Sequence, residues 1–327
     1  MTEQADDKGN YLQKITECLT TQEMVNMYLG FSEPKNPHLS VFCWLVSYGI
    51  LPLNSAAAVM VKVTSVNEKY TKELAQLSNF NFSNTFDRTQ EENFQNFLSS
   101  IKSNWHTILN SDGLNVESLV KSAQTVIPFI CKCRGVEYSD GLVSTYVRIY
   151  EVLFQVFKIS EFTVHVEALS YFLILEMYKT IHNLFNSSDD NSYVSKITKL
   201  GQELEISTFD SPEKISKFTH SLVFDSISKL NLQEFFEFWD RFVFRKGIIE
   251  IYLYELIKTF VSDNKNGNYL QDFVSQNVGL NARQFNERIE ASLYIQLRKD
   301  SRSSQNLVFA SMAIAGLFIL YRKFMSN

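Results

Sequence analysis

Apolar side chains recur at three- and four-residue intervals along nearly the whole of this chain, and few of its residues can make a tight turn. Eleven Gly and five Pro in 327 residues leave little for the hairpins of a sheet-rich fold. The body is therefore expected to be all-α, a multi-helix bundle or an irregular α-solenoid of roughly eleven helices with short connections. A hydrophobic content of 45 % supplies a sizeable core.

Local signals place the helices. Tyr11, Leu12, Ile15 and Leu19 fall at helical spacing, Thr20 with Glu23 makes a capping box, and Pro34 and Pro37 end this first pair. The apolar stretch 41–63 is interrupted by Pro52, Asn54 and Ser55, so it is expected as two buried helices meeting at Leu51-Pro52-Leu53, not as a membrane span. An amphipathic helix from Val63 to Leu77 leads to a polar loop holding Phe80 and Phe82. Thr89 with Glu92 is expected to cap the next helix, which runs through Phe94, Leu98, Ile101 and Trp105. Asn115 to Cys133 follows, with Pro128 expected to kink or split it.

Two very apolar helices come next, Gly141 to Phe157 and Phe162 to Phe185. The first is apolar around most of its circumference and is expected at the centre, packed antiparallel to the second. The polar run 186–192 is the expected boundary between an N-terminal helical subdomain, 1–190, and a C-terminal one, 191–300. Beyond it, Ser211-Pro212-Glu213 gives an N-cap, a proline at the first helical position and an acidic first turn. Leu232, Phe235, Phe236, Trp239, Phe242 and Val243 form one stripe, and 248–260 is nearly continuous core. Further helices are expected near Tyr269 to Gln276 and Ala282 to Leu297. No fixed period marks a repeat family.

No motif announces catalysis. The pair Cys131-Lys132-Cys133 has one intervening residue where zinc and redox sites use two, and Cys18 and Cys43 stand apart, a pattern suited to a reducing compartment. Glu234, Glu237 and Asp240 share a helical ridge, but no Glu-x-x-His pair accompanies them, and Glu237 with Arg241 reads as an i, i+4 ion pair on a solvated face. His38, His106, His165, His182 and His220 are dispersed. Gly-rich phosphate loops, G-x-S-x-G elbows and H-E-x-x-H pairs are all missing from the sequence. No enzymatic activity, metal or cofactor is expected. A net charge of −5 with scattered basic residues gives no footprint for nucleic acid.

The most informative segment for location is the uncharged run Leu307, Val308, Phe309, Ala310, Ser311, Met312, Ala313, Ile314, Ala315, Gly316, Leu317, Phe318, Ile319, Leu320 and Tyr321. At about 1.5 Å per residue this reaches about 22 Å, short of the roughly 30 Å hydrocarbon layer. Phe324 and Met325 extend it, while Arg298, Lys299, Arg302, Arg322 and Lys323 flank it where basic side chains snorkel to headgroups. The expectation is a single C-terminal transmembrane helix at 307–325, after a linker at 301–306. Ser311 and Ala315 make a small-xxx-small pair through which two anchors could pack as a homo-oligomer, although such pairs arise more often by chance.

This layout resembles tail-anchored membrane proteins as a class, over the last 25 residues or so. The opening MTEQADDKGN has no signal-peptide h-region. Short tails with basic flanks are similar to those of the mitochondrial outer membrane, which is the expected location, with peroxisome and endoplasmic reticulum as alternatives. Apoptosis regulators of the Bcl-2 type share the layout of helical body and anchor. Their Asn-Trp-Gly-Arg signature is not matched, because Asn104-Trp105 is followed here by His106-Thr107. The expected function is that of a tail-anchored adaptor or receptor: the bilayer holds the last helix and the cytosolic body meets unidentified protein partners. The alternative is a soluble helical scaffold subunit whose last helix is buried at an interface.

Overall fold

The computed structural model describes residues 37–53, 55–76, 85–108, 114–157, 163–186, 192–206, 209–226 and 232–244, together with positions 249, 250, 253, 254, 257, 258 and 261. Among these the secondary structure is helical, with no strand. The α-helices are α1 (Pro37–Ser47), α2 (Ala56–Gln76), α3 (Arg88–Ile108), α4 (Val116–Arg134), α5 (Asp140–Val156), α6 (Thr163–His182), α7 (Tyr193–Glu203), α8 (Pro212–His220) and α9 (Leu232–Phe244). A 3₁₀ turn, Asn183–Phe185, follows α6, and a π-helical turn, Ser221–Ser226, continues α8. The expected helices upstream of residue 37 and those near 269–276 and 282–297 lie outside the described residues, as does the loop with Phe80 and Phe82.

Side chains that satisfy orphan N–H groups fix several helix starts. Asn115 accepts from Glu117 N at 2.9 Å, Ser139 from Leu142 N at 3.1 Å, and Ser211 from Lys214 N at 3.4 Å. Gly135 ends α4 with φ of 66°, a left-handed conformation that glycine adopts without strain. Three local expectations need correction. The box on α3 is Asp87 with Gln90, not Thr89 with Glu92: Gln90 N donates to Asp87 Oδ1 at 2.8 Å and Asp87 N to Gln90 Oε1 at 3.2 Å. Ala56 to Gln76 is one helix, so the separate Val63 helix is its continuation. Of the kink or split expected at Pro128, the split does not occur: the proline sits inside one continuous α4, buried with its neighbours Ile127 and Phe129. Packing around the proline outweighs one lost backbone hydrogen bond.

α5 occupies the centre, as its apolar circumference predicts. Residues from Gly141 to Val156 are buried on nearly every face, and α1, α3, α4, α6 and the π-turn all pack on it. This is bundle packing, since a solenoid unit meets only its sequence neighbours. α2 lies along α6, where Tyr70, Phe129 of α4 and Tyr171 bring their rings within 5.1–6.4 Å of one another. α9 covers α1, with Trp44 stacked on Phe236 at 5.4 Å. Ile249, Leu253, Ile257 and Val261 are buried at helical spacing in the same core, which continues across residue 190.

The cap assignment is checked by equilibrium urea unfolding. Asp87→Ala is expected to lower stability by about 1 kcal/mol, and Thr89→Ala to change it by less than about 0.5 kcal/mol.

Candidate functional site

A polar concavity forms among the described residues where α5 begins. Ser139 caps that helix from an extended backbone, and Asp140 opens its first turn. The next residue, Gly141, lies under the π-turn: a Cβ built on it would fall 2.3 Å from Phe224 O and 2.5 Å from Asp225 Cα. Gly141 N donates to Asp225 Oδ1 at 3.2 Å, so the turn also supplies an anionic partner at the helix N-terminus. A π-turn widens the helix by one residue per turn, and here its backbone reaches α5 where a regular side chain would block it.

The resulting cleft measures about 620 Å³ and is lined by Gln90, Asn93 and Phe97 of α3, Tyr138 and Ser139, Asp140, Gly141 and Ser144 of α5, and Asp225. Tyr138 donates to Asp140 Oδ1 at 2.8 Å, and its ring packs on Phe86 at 4.9 Å and Phe94 at 6.0 Å. Burial, then the Asp140 hydrogen bond, push the Tyr138 hydroxyl well above the usual phenol range. The cleft thus offers carboxylate, hydroxyl and amide groups with one aromatic wall. Such groups bind polar molecules by hydrogen bonding.

Cys131 and Cys133 are free thiols; burial pushes Cys131 up to about 12 and raises Cys133 as well, the reverse of what a reactive or metal-binding thiol needs. No group of three or more His, Cys, Asp or Glu suited to a metal occurs among the described residues. Glu167 is held above the carboxylate range by burial, while Tyr70 donates to it at 2.8 Å. Beside it, Tyr171 donates to Glu73 at 2.8 Å and accepts from Arg134 Nε at 3.0 Å. These groups bond one another in two sets, Tyr70 with Glu167 and Tyr171 with Glu73 and Arg134.

The carboxylate ridge on α9 is overturned at Asp240. That residue is 3 % exposed, not solvated, and its carboxylate accepts from Ser40 Oγ at 2.8 Å and Trp44 Nε1 at 2.7 Å. The side chains of Glu234, Glu237 and Arg241 lie outside the described residues. Of the histidines, His38 bonds Gln155, and the fold brings His182 and His220 to 6.4 Å. His220 packs on Tyr178 at 4.7 Å and Phe185 at 5.7 Å; Nδ1 lies 2.9 Å from Ser216 O, and its buried Nε2 has no partner among the described residues.

The expected anchor, Leu307–Tyr321, and its flanking Arg298, Lys299, Arg302, Arg322 and Lys323 lie outside the described residues. Among the described residues no helix is long and apolar enough to cross a membrane, the 41–63 stretch included. Sequence reasoning missed the cleft. Its one local signal was a glycine two residues after a serine cap; Asp225 is 84 positions away and nothing near it in sequence points back.

Compared with known proteins, no family model matches the chain, and no curated protein matches it significantly.

Two measurements follow from this geometry. Gly141→Ala should lower unfolding stability by about 3 kcal/mol because backbone, not a side-chain tip, meets the new methyl, while Ser144→Ala stays within about 0.5 kcal/mol. His220 is depressed below the usual histidine range first by burial and then by His182, against an opposing hydrogen bond to Ser216. The folded state therefore takes up this proton later than the unfolded state. The associated stability is complete above the unfolded value, about 6.5, and is lost as pH falls through it toward the folded value. Melting temperatures between about pH 7 and 5 should fall more steeply for wild type than for His220→Phe, a comparison in which other titrating groups cancel. Parallel profiles would sink this assignment.

Proposed function

We propose that this protein is a membrane-tethered helical adaptor: an all-α body held on an organelle surface, the mitochondrial outer membrane, and acting through contacts with protein partners. The observation that carries the reading is the uncharged run Leu307–Tyr321, bracketed by Arg298, Lys299 and Arg302 on one side and Arg322 and Lys323 on the other. The body's chemistry supports it. Its Cys131 and Cys133 thiols are raised, its half-buried Glu167 is bonded to tyrosine, and its cleft offers hydrogen-bonding groups. Free Cys131 and Cys133 suit a body that faces the reducing cytosol.

The test compares the cellular location of fluorescently tagged full-length protein with a version ending at Asp300, followed by carbonate extraction of both. The expected result is one labelled mitochondrial rim that resists extraction, and a diffuse, extractable short form. If both forms are diffuse and extractable, the tether is wrong and 307–321 is an interface helix of a soluble scaffold. If full-length protein labels another organelle, the tether stands and the mitochondrial assignment falls.

A further inference from the structure

Residues 211–214 do more than start α8. They read Ser-Pro-Glu-Lys, a serine followed by proline with a lysine at the third position beyond it, which is the acceptor pattern of proline-directed protein kinases. Ser211-Pro212 is the only Ser-Pro or Thr-Pro pair in the sequence. We propose that Ser211 is a phosphorylation site, modified by a proline-directed serine/threonine kinase with ATP as donor.

Accessibility supports this. Ser211 is half-buried with an extended backbone, φ of −142° and ψ of 150°, and its neighbours Asp210, Pro212, Glu213 and Lys214 are exposed. The first residue of α8 that enters the core is Ile215. Presenting the serine to a kinase requires the first turn to open, and that turn is weakly held. Ser211 Oγ accepts one long bond, 3.4 Å from Lys214 N, and Ser211 O accepts from Ile215 N at 3.0 Å. Pro212 has no N–H to lose, and first-turn donors have no partner within the helix.

In the transfer, Ser211 Oγ attacks the γ-phosphorus of ATP, an O–P bond forms, the bond from that phosphorus to the β,γ-bridging oxygen breaks, and ADP leaves. The hydroxyl proton passes to the kinase's catalytic carboxylate. The product places a phosphate at the first turn of α8, where the helix dipole favours an anion. Lys214, whose Nζ lies 2.7 Å from Asp210 Oδ2, is then within one turn of a stronger acceptor. Asp210 and Glu213 oppose the added charge, so the modification redistributes a local ion pair instead of simply adding one.

The test uses full-length protein in detergent with an active proline-directed kinase and MgATP, read by intact mass and by fragmentation of the modified peptide. One addition of about 80 Da is expected, located at Ser211 and missing in Ser211→Ala. Pro212→Ala and Lys214→Ala keep the acceptor and its cap, and each is expected to slow the reaction by about tenfold or more. The proposal is overturned if the full chain gains no phosphate while a Ser-Pro-Glu-Lys control peptide does, or if the addition persists in Ser211→Ala. It is overturned equally if Pro212→Ala reacts at the wild-type rate. None of these outcomes depends on where the protein sits in the cell.

Discussion

A helix that is apolar around its whole circumference must be covered on every side, and the described body is arranged to cover α5. Leu142, Val143, Tyr146, Val147, Ile149, Tyr150, Val152, Leu153 and Val156 are all buried there. Each large side chain removed from water contributes roughly 1.5–3 kcal/mol, so leaving any face open would forfeit several such contributions. The covering elements come from distant parts of the chain: α1, α3, α4, α6 and the π-turn after α8. One buried polar pair at this centre is Tyr146 OH and Ser122 Oγ, 2.6 Å apart. α1 is itself buried from Ser40 to Leu45 and is capped in turn by α9. At that seam the Asp240 carboxylate meets Ser40 and Trp44, which fixes register, because sliding either helix would leave a buried anion without donors.

The segment from 209 to 226 joins the other features. It begins at the Ser211 cap, passes His220 in its aromatic nest, widens into the π-turn, and ends against Gly141 with Asp225 on the first turn of α5. One stretch of chain thus carries the half-buried Ser211 cap, a buried imidazole and one wall of the polar cleft. The glycine permits the contact by having no side chain, and Asp225 makes it attractive.

The functional reading rests on two kinds of observation that agree without depending on each other. Uncharged length between basic flanks argues for attachment to a bilayer. Raised thiols at Cys131 and Cys133 and the Tyr171–Glu73 hydrogen bond are the side-chain chemistry set beside the proposal of an adaptor.

What was legible in the sequence follows from short-range physics. The all-α class, the apolar circumference of α5, the stripe of α9 and the cap at Ser211 depend on residues within a turn or two of one another. The α3 cap was misjudged because Asp87-Gln90 and Thr89-Glu92 both satisfy the box, and only the path of the incoming chain selects between them. The Asp240 seam, the His182–His220 pair and the Gly141–Asp225 contact join residues 38 to 200 positions apart. Periodicity assigns a face to each helix, but not the partner that face will meet. The sequence by itself determined which helices form and which of their faces are apolar. Tertiary structure alone decided which polar groups those faces carry inside, because a carboxylate at a helix position looks the same whether water or a tryptophan N–H awaits it.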